Sequence, residues 1–159
     1  IFMINKNPTL VWVKEQESEG TIKIDSDIKD HTKETRGIYG FFIEDTCIYV
    51  GRSQSIYGRI FDAKGYLASL KFNVDNKEFQ NEEQSISNDL FEAIKNGKQI
   101  SVKILERVPL QRDNYSKDMQ RLASAECKYI DSYQENNHCL NQLPDGKNMT
   151  VDDWNLKLK

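Results

Sequence analysis

Hydrophobic and polar positions along this chain change their period several times, and each change marks an element. Two short runs rich in aromatic and β-branched residues, Ile38–Ile43 and Cys47–Val50, flank the polar Glu44-Asp45-Thr46. That pattern predicts two adjacent strands joined by a tight turn. Alternation puts Tyr39, Phe41 and Ile43 on one face, with Gly40 and Phe42 on the other. Tyr49, on the second strand, lies near Tyr39 across the pair, and Gly51 lets the chain turn away without a Cβ. From Gln54, the apolar residues Ile56, Ile60, Ala63, Leu67 and Leu70 recur at steps of four and three. This is one stripe of a single amphipathic helix. Arg59 borders that stripe, where an arginine stem ordinarily covers apolar surface.

Further along, 71–84 is polar and predicts a loop. Ile86, Leu90, Phe91 and Ile94 make a second helical stripe, closed by Asn96-Gly97. Ile100, Val102, Ile104 and Val108 then alternate as a third strand with one buried face, ended by Pro109. The last long helix begins near Ser116, whose hydroxyl is placed to cap it, and runs to about Asn136. Its Met119, Leu122, Glu126, Ile130 and Tyr133 are spaced by three or four, so Glu126 stands in the middle of an apolar stripe facing the sheet. A carboxylate so placed is costly unless paired, protonated or bound to a metal. Spacing alone leaves two readings open: a salt bridge to a buried arginine such as Arg59, or a functional carboxylate.

The flanks are less informative. Residues 1–36 form an N-terminal extension in which Thr9–Val13 and Thr21–Ile24 predict a hairpin or edge strands, followed by a charged linker, Asp25–Arg36. Its role is open between a substrate-contacting flap and a packing extension. The tail, 144–159, carries a capping-box-like Thr150-Val151-Asp152-Asp153 before a short helix with Trp154, Leu156 and Leu158. It reads as core cover or an oligomer contact.

Composition narrows the class. The 159 residues fit one domain with a real core, and 38% hydrophobic with 30% charged content is that of an ordinary soluble globular protein. No apolar run approaches the ~20 residues of a membrane helix, and the opening residues lack the pattern of a signal peptide. Cys47, Cys127 and Cys139 are too widely spaced for a zinc cluster and odd in number for a disulfide framework. They read as buried thiols in a reducing cytoplasm. The net charge of −3 does not advertise a nucleic-acid binder, although a local basic face matters more than the total. His31 and His138 stand apart from the other candidates.

The stretch around the first two strands resembles the GIY-YIG endonuclease family. Gly37-Ile38-Tyr39 stands as the first tripeptide and Tyr49-Val50-Gly51 as the second, followed in order by Arg59, Glu126 and Leu140-Asn141. The resemblance spans 37–143. It implies an α/β domain with a small, three-stranded, mainly antiparallel sheet flanked by helices, and a metal-dependent endonuclease that cuts DNA. It further implies Tyr39, Tyr49, Arg59 and Glu126 as catalytic residues, with Glu126 holding Mg²⁺ or Mn²⁺. Gly51, Arg52, Lys64, Tyr66 and Asn141 are then substrate-binding candidates, although the amide of Asn141 could equally fix its own loop.

Hard divalent ions accept one or two carboxylates together with water and phosphate oxygens, which suits a single Glu126. A guanidinium at Arg59 matches the phosphate in the transition state. Tyr39 is the candidate proton acceptor, which requires its pKa to fall from near 10. Family members often carry His or Tyr one turn after the arginine, where this chain has Ala63. Tyr66 is the substitute, although along one continuous helix it stands ~4–5 Å farther on. The competing reading is a catalytically weak or inactive nucleic-acid-binding or assembly module on the same fold. No zinc finger, helix-turn-helix or basic arm is present to target a sequence. Targeting then falls to the extension, homo-oligomerisation, or an additional domain or protein.

Overall fold

The computed structural model describes residues 3–4, 9–14, 17–30, 32–76, 86–135 and 142–159. It is a mixed α/β structure: β1 (Met3–Ile4), β2 (Thr9–Lys14), β3 (Glu17–Ile24), α1 (Ser26–Lys29), β4 (Gly37–Ile43), β5 (Thr46–Ser53), α2 (Ile56–Phe61), α3 (Tyr66–Asn76), α4 (Ser87–Lys95), β6 (Gln99–Arg107), α5 (Tyr115–Glu135) and α6 (Val151–Lys157). The strands form one sheet in the order β1-β2-β3-β6-β4-β5. The expected three-stranded sheet, β4, β5 and β6, is therefore half of a larger one. The 1–36 extension adds to it because β3 pairs parallel with β6, from Thr21 opposite Gln99 to Ile24 opposite Val102. Sequence alternation shows a strand's faces but not its neighbour, so this pairing was not legible.

β4 and β5 are antiparallel, with Ile43 opposite Thr46, and Glu44 adopts the left-handed region at φ 53° in the turn between them. Two helical layers cover the sheet. Ile22, Ile24, Tyr39, Phe41, Tyr49, Ile100 and Val102 share one core with Ile28 of α1, Ile56 and Ile60 of α2, Tyr66 and Leu70 of α3, and Leu90 and Ile94 of α4. On the opposite face, Ile38, Phe42, Cys47 and Val50 pack against Leu122, Ala125 and Ile130 of α5. The long amphipathic helix is thus where its stripe predicts. Its N-terminal cap is Asn114, whose Oδ1 accepts the Lys117 N–H at 3.1 Å, in place of the expected Ser116.

Three other expectations are corrected. The segment read as a linker, 25–36, contains α1 and ends on the buried Thr35 and Arg36. The guanidinium of Arg36 pairs with the fully buried Asp118 of α5 through Nη1–Oδ1 at 3.2 Å and Nη2–Oδ2 at 2.7 Å. Second, the stripe from Ile56 to Leu70 is two helices, with a break over 62–65. Ser55 caps α2, and the chain turns sharply where a Cβ on Gly65 would press the carbonyls of Arg59, Ile60 and Asp62. Ala63 is left exposed in the break. Third, the loop expected from residue 71 is helical to Asn76, while 77–85 lie outside the described residues. At the C-terminus the expected cap holds: Thr150 Oγ1 accepts the Asp153 N–H at 3.2 Å. Trp154 is buried beneath α6, with its indole N–H donated to Asp118 at 2.9 Å.

Candidate functional site

Alternation along β4 and β5 sends Tyr39, Tyr49 and Gly51 towards α2 and α3, and Val50 and Arg52 towards α5. The expected constellation is thereby divided between the two faces of the sheet. Tyr39 and Tyr49 are buried with ring centroids 6.2 Å apart, and Tyr66 completes a triangle at 6.3 Å from Tyr39 and 6.4 Å from Tyr49. Arg59 closes this cluster on the solvent side. Its guanidinium carbon lies 4.7 Å above the Tyr66 ring, and Nη2 donates to the Tyr66 hydroxyl at 3.4 Å. The distance expected for Tyr66 along one helix is therefore wrong. The turn at 62–65 folds α3 back, so that Tyr66 touches Arg59 directly.

Gly51 lies inside β5 and is not a turn residue. It stands opposite Tyr39, and a Cβ there would come within 2.6 Å of the Tyr39 hydroxyl. The missing side chain makes room for that hydroxyl. Beside Arg59, an open groove of about 290 Å³ is lined by Ser53, Ser55, Asp62 and Lys64. Lys64 is exposed and adds to the positive side of this groove.

Burial raises the Tyr39 hydroxyl well above the usual tyrosine range; neighbouring Tyr66 adds to the rise, and Arg59 partly opposes it. Tyr49 is likewise raised by burial, and further by Tyr39, Tyr66 and Asp145. Both phenols are protonated at neutral pH. A Tyr39 that accepts a proton needed the opposite direction, and this expectation is corrected: the sequence shows a nearby cation but not the depth at which the phenol is buried.

Across the sheet, Glu126 is 1% exposed, and Nε of Arg52 stands 3.6 Å from its Oε1. The buried-arginine partner is thus Arg52, on the neighbouring strand, and not Arg59. That separation exceeds hydrogen-bond reach. Among the described residues, Nε and Nη1 of Arg52 and Oε2 of Glu126 are buried without hydrogen-bond partners. Burial raises the Glu126 pKa; Arg52 opposes the rise, nearby Asp145 adds to it, and the backbone amides of Gly146 and Asp145 oppose it. The carboxylate is not reachable by solvent: residues 142–146 cross the free edge of β5 and cover it. The side chain of Gln142 pairs with Val50, accepting its N–H at 3.0 Å and donating to its carbonyl at 2.6 Å. Tyr49 donates its hydroxyl to the Asp145 carboxylate at 2.9 Å, and Arg52 Nη2 donates to the Gly146 carbonyl at 2.5 Å.

A titration tests this arrangement. Followed by carboxyl NMR, Glu126 is expected to have a midpoint above its ordinary 4.5, and Arg52→Gln should raise it further by removing the opposing charge. Because the folded pKa is raised, this group's stabilisation is fully present below 4.5 and is lost as pH climbs through the folded value. A midpoint at or below 4.5 would mean that the contact with Arg52 outweighs burial.

No family model matches this chain, and no curated protein or solved structure is similar to it at a significant level. The site rests on its own geometry. Asn141 and Cys139 lie outside the described residues. Cys47 is buried, with its thiol pushed up to about 11 by burial, whereas Cys127, expected to be buried, is exposed on the outer side of α5. Among the described residues, no group of three or more His, Cys, Asp or Glu is placed to hold a metal. One unpartnered carboxylate oxygen, Glu126 Oε2, fits a single protein ligand to a hard cation whose other positions are water and phosphate. Asp145 and Gln142 were missed as site residues. They lie nearly a hundred positions from Tyr49 and Val50, and no local spacing reports a contact that the tail makes by crossing an edge strand.

Proposed function

We propose that this protein is a metal-dependent endonuclease that hydrolyses DNA phosphodiester bonds, as its resemblance to the GIY-YIG family implies. One observation carries this reading. At the free edge of β5 a buried glutamate and a nearly buried arginine, each with unpartnered polar atoms, stand 3.6 Å apart. Structural ion pairs are ordinarily satisfied, because an orphaned buried charge is costly. Unspent hydrogen-bonding capacity in a cation and an anion together fits a site that is completed by a phosphate and a cation.

A phosphodiester at this edge meets Arg52, while the groove of Arg59 and Lys64 holds the backbone on the other face. Glu126 Oε2 is the ligand for Mg²⁺ or Mn²⁺, which when bound supplies positive charge against the phosphate oxygens. Arg59, supported by Tyr66, grips the phosphate backbone in that groove. Tyr39 and Tyr49, held protonated, donate hydrogen bonds and orient water or phosphate. Tyr66 takes the place that Ala63 leaves empty. In hydrolysis the water oxygen bonds to phosphorus, the P–O bond to the leaving sugar breaks, and that oxygen ends protonated.

Among the described residues, no helix is long and apolar enough to cross a membrane. The buried thiol of Cys47 and the exposed thiol of Cys127 fit a reducing, cytoplasmic setting. A second reading, a nucleic-acid-binding module without turnover, is favoured by the sealed state of Glu126 on the face opposite Tyr39 and Arg59.

The test is nicking of supercoiled plasmid with Mg²⁺ or Mn²⁺, alongside duplex binding across a salt series. Nicking is expected. Affinity should fall as salt rises, because phosphate contacts release counterions. Arg59→Ala should weaken duplex binding several-fold and flatten its salt dependence, since its guanidinium meets the phosphate backbone in the groove. Salt-sensitive binding without nicking would select the second reading, and absence of both would reject the two together.

A further inference from the structure

The covering of Glu126 has a construction of its own. Residues 142–150 lead into the start of α6, and both ends of this segment are tied down. At one end the Gln142 side chain pairs with Val50 like an added rung on the free edge of β5, and Gln134 Nε2 donates to the Gln142 carbonyl at 3.0 Å. At the other end, Tyr115 donates its hydroxyl to the Met149 carbonyl at 2.5 Å, and α6 is pinned by buried Trp154 on Asp118. Between these anchors the segment contributes no buried apolar side chain. Leu143 is 83% exposed, and Pro144, Asp145, Lys147 and Asn148 are exposed as well.

What holds this middle part is polar and is supplied by the site itself. The Asp145 carboxylate sits on the Tyr49 hydroxyl at 2.9 and 3.0 Å, the Gly146 carbonyl sits on Arg52, and the amides of both residues bear on Glu126. A carbonyl oxygen on a guanidinium is an acceptor of the kind that a phosphate oxygen would provide. The imitation is partial, because Nε and Nη1 of Arg52 and Oε2 of Glu126 keep no hydrogen-bond partner beneath it. A ligand with more oxygens would satisfy the two Arg52 nitrogens, whereas Glu126 Oε2 needs a donor or a cation. Gly146 is required for the fit: a Cβ there would run into the Arg52 side chain.

We propose that residues 142–150 are an autoinhibitory strap, in which the Gly146 carbonyl occupies the place of a phosphate oxygen on Arg52 and Asp145, tied to Tyr49, holds it there. The site works only when the middle of the strap lifts while its ends stay anchored. This deepens the nuclease reading and rests on it for the identity of the displacing ligand. The contact between strap and arginine stands independently of that identity.

Two variants of the full chain test the strap. Gly146→Ala drives Arg52 and the strap apart by steric conflict, and Asp145→Ala removes the contact with Tyr49 without adding bulk, so one remains informative if the other folds poorly. Phenylglyoxal labelling of Arg52, mapped by mass spectrometry, reads exposure of the site. Binding of a fluorescent 20-base-pair duplex and plasmid nicking with Mg²⁺ read its use. Both variants are expected to raise Arg52 labelling, duplex affinity and nicking by about tenfold or more, with thermal unfolding little changed because the end anchors remain. Labelling equal to wild type in both variants overturns the strap. So does wild-type nicking that neither variant accelerates, and in that case the nuclease reading stands. Raised labelling with no duplex binding or nicking by any of the three proteins upholds the strap as a cover over an anion site and rejects the nuclease reading.

Discussion

Glu126→Gln should lower DNA cleavage by about a hundredfold or more while leaving the protein folded and still able to bind DNA. The amide keeps the shape of the side chain and one acceptor oxygen, but it loses the charge that makes Oε2 a ligand for a divalent ion. Burial raises the Glu126 pKa in spite of Arg52, so desolvation of the carboxylate exceeds what the long 3.6 Å contact returns. Replacing it with the amide therefore removes a desolvated acid, although Arg52 loses its counter-ion. Duplex affinity should hold or rise slightly, because Arg52 then faces phosphate without a competing anion. Parallel measurement of nicking rate, duplex affinity and thermal unfolding separates these effects. Equal nicking by wild type and variant would remove Glu126 from catalysis. Activity lost together with the fold would assign it a structural role.

Asp118→Ala is expected to have the largest effect on stability. Asp118 is fully buried and joins three parts of the chain: Arg36 before β4, the start of α5 on which it lies, and Trp154 of α6. Its Oδ1 also accepts the Gln111 N–H at 3.3 Å. Removing it strands the guanidinium of Arg36, itself 2% exposed, and breaking a buried pair in this way costs about 3–5 kcal/mol. For a chain of this length each kcal/mol moves the melting temperature by ~2–4 °C, so a fall of roughly 6–20 °C should appear in calorimetry. Asp113→Ala is the control. Asp113 pairs with Arg121 at the surface and its pKa is lowered to about 2, yet an exposed pair contributes little to stability. Similar losses for the two variants would mean that the buried network is not what locks α6 and α5 to the sheet.

Much of the fold was legible because it rests on local periodicity. Strands β4, β5 and β6, the helices α4 and α5, the inward direction of Glu126 and the Thr150 cap all follow from side-chain period and capping chemistry. The proximity of Tyr39 and Tyr49 follows from a short turn between alternating strands. Where a local rule competed with a backbone constraint, the sequence misled. The stripe from Ile56 to Leu70 continues through the break at 62–65, and only the crowding around Gly65 shows why the helix must stop and bring Tyr66 against Arg59.

The rest was decided by tertiary structure. Strand alternation assigns Arg52 to one face and Tyr49 to the other, but which helix covers each face depends on how α2, α3 and α5 pack. That packing makes Arg52, and not Arg59, the partner of Glu126. The parallel pairing of β3 with β6, the burial that raises Tyr39 and the passage of Asp145 and Gly146 over the edge of β5 are contacts between distant segments. The sequence by itself determined which side chains share a face of each strand or helix, because side-chain type and spacing are local. Only the folded chain decided which of them meet and which are covered, because pairing partners and burial depth depend on the whole of the packing.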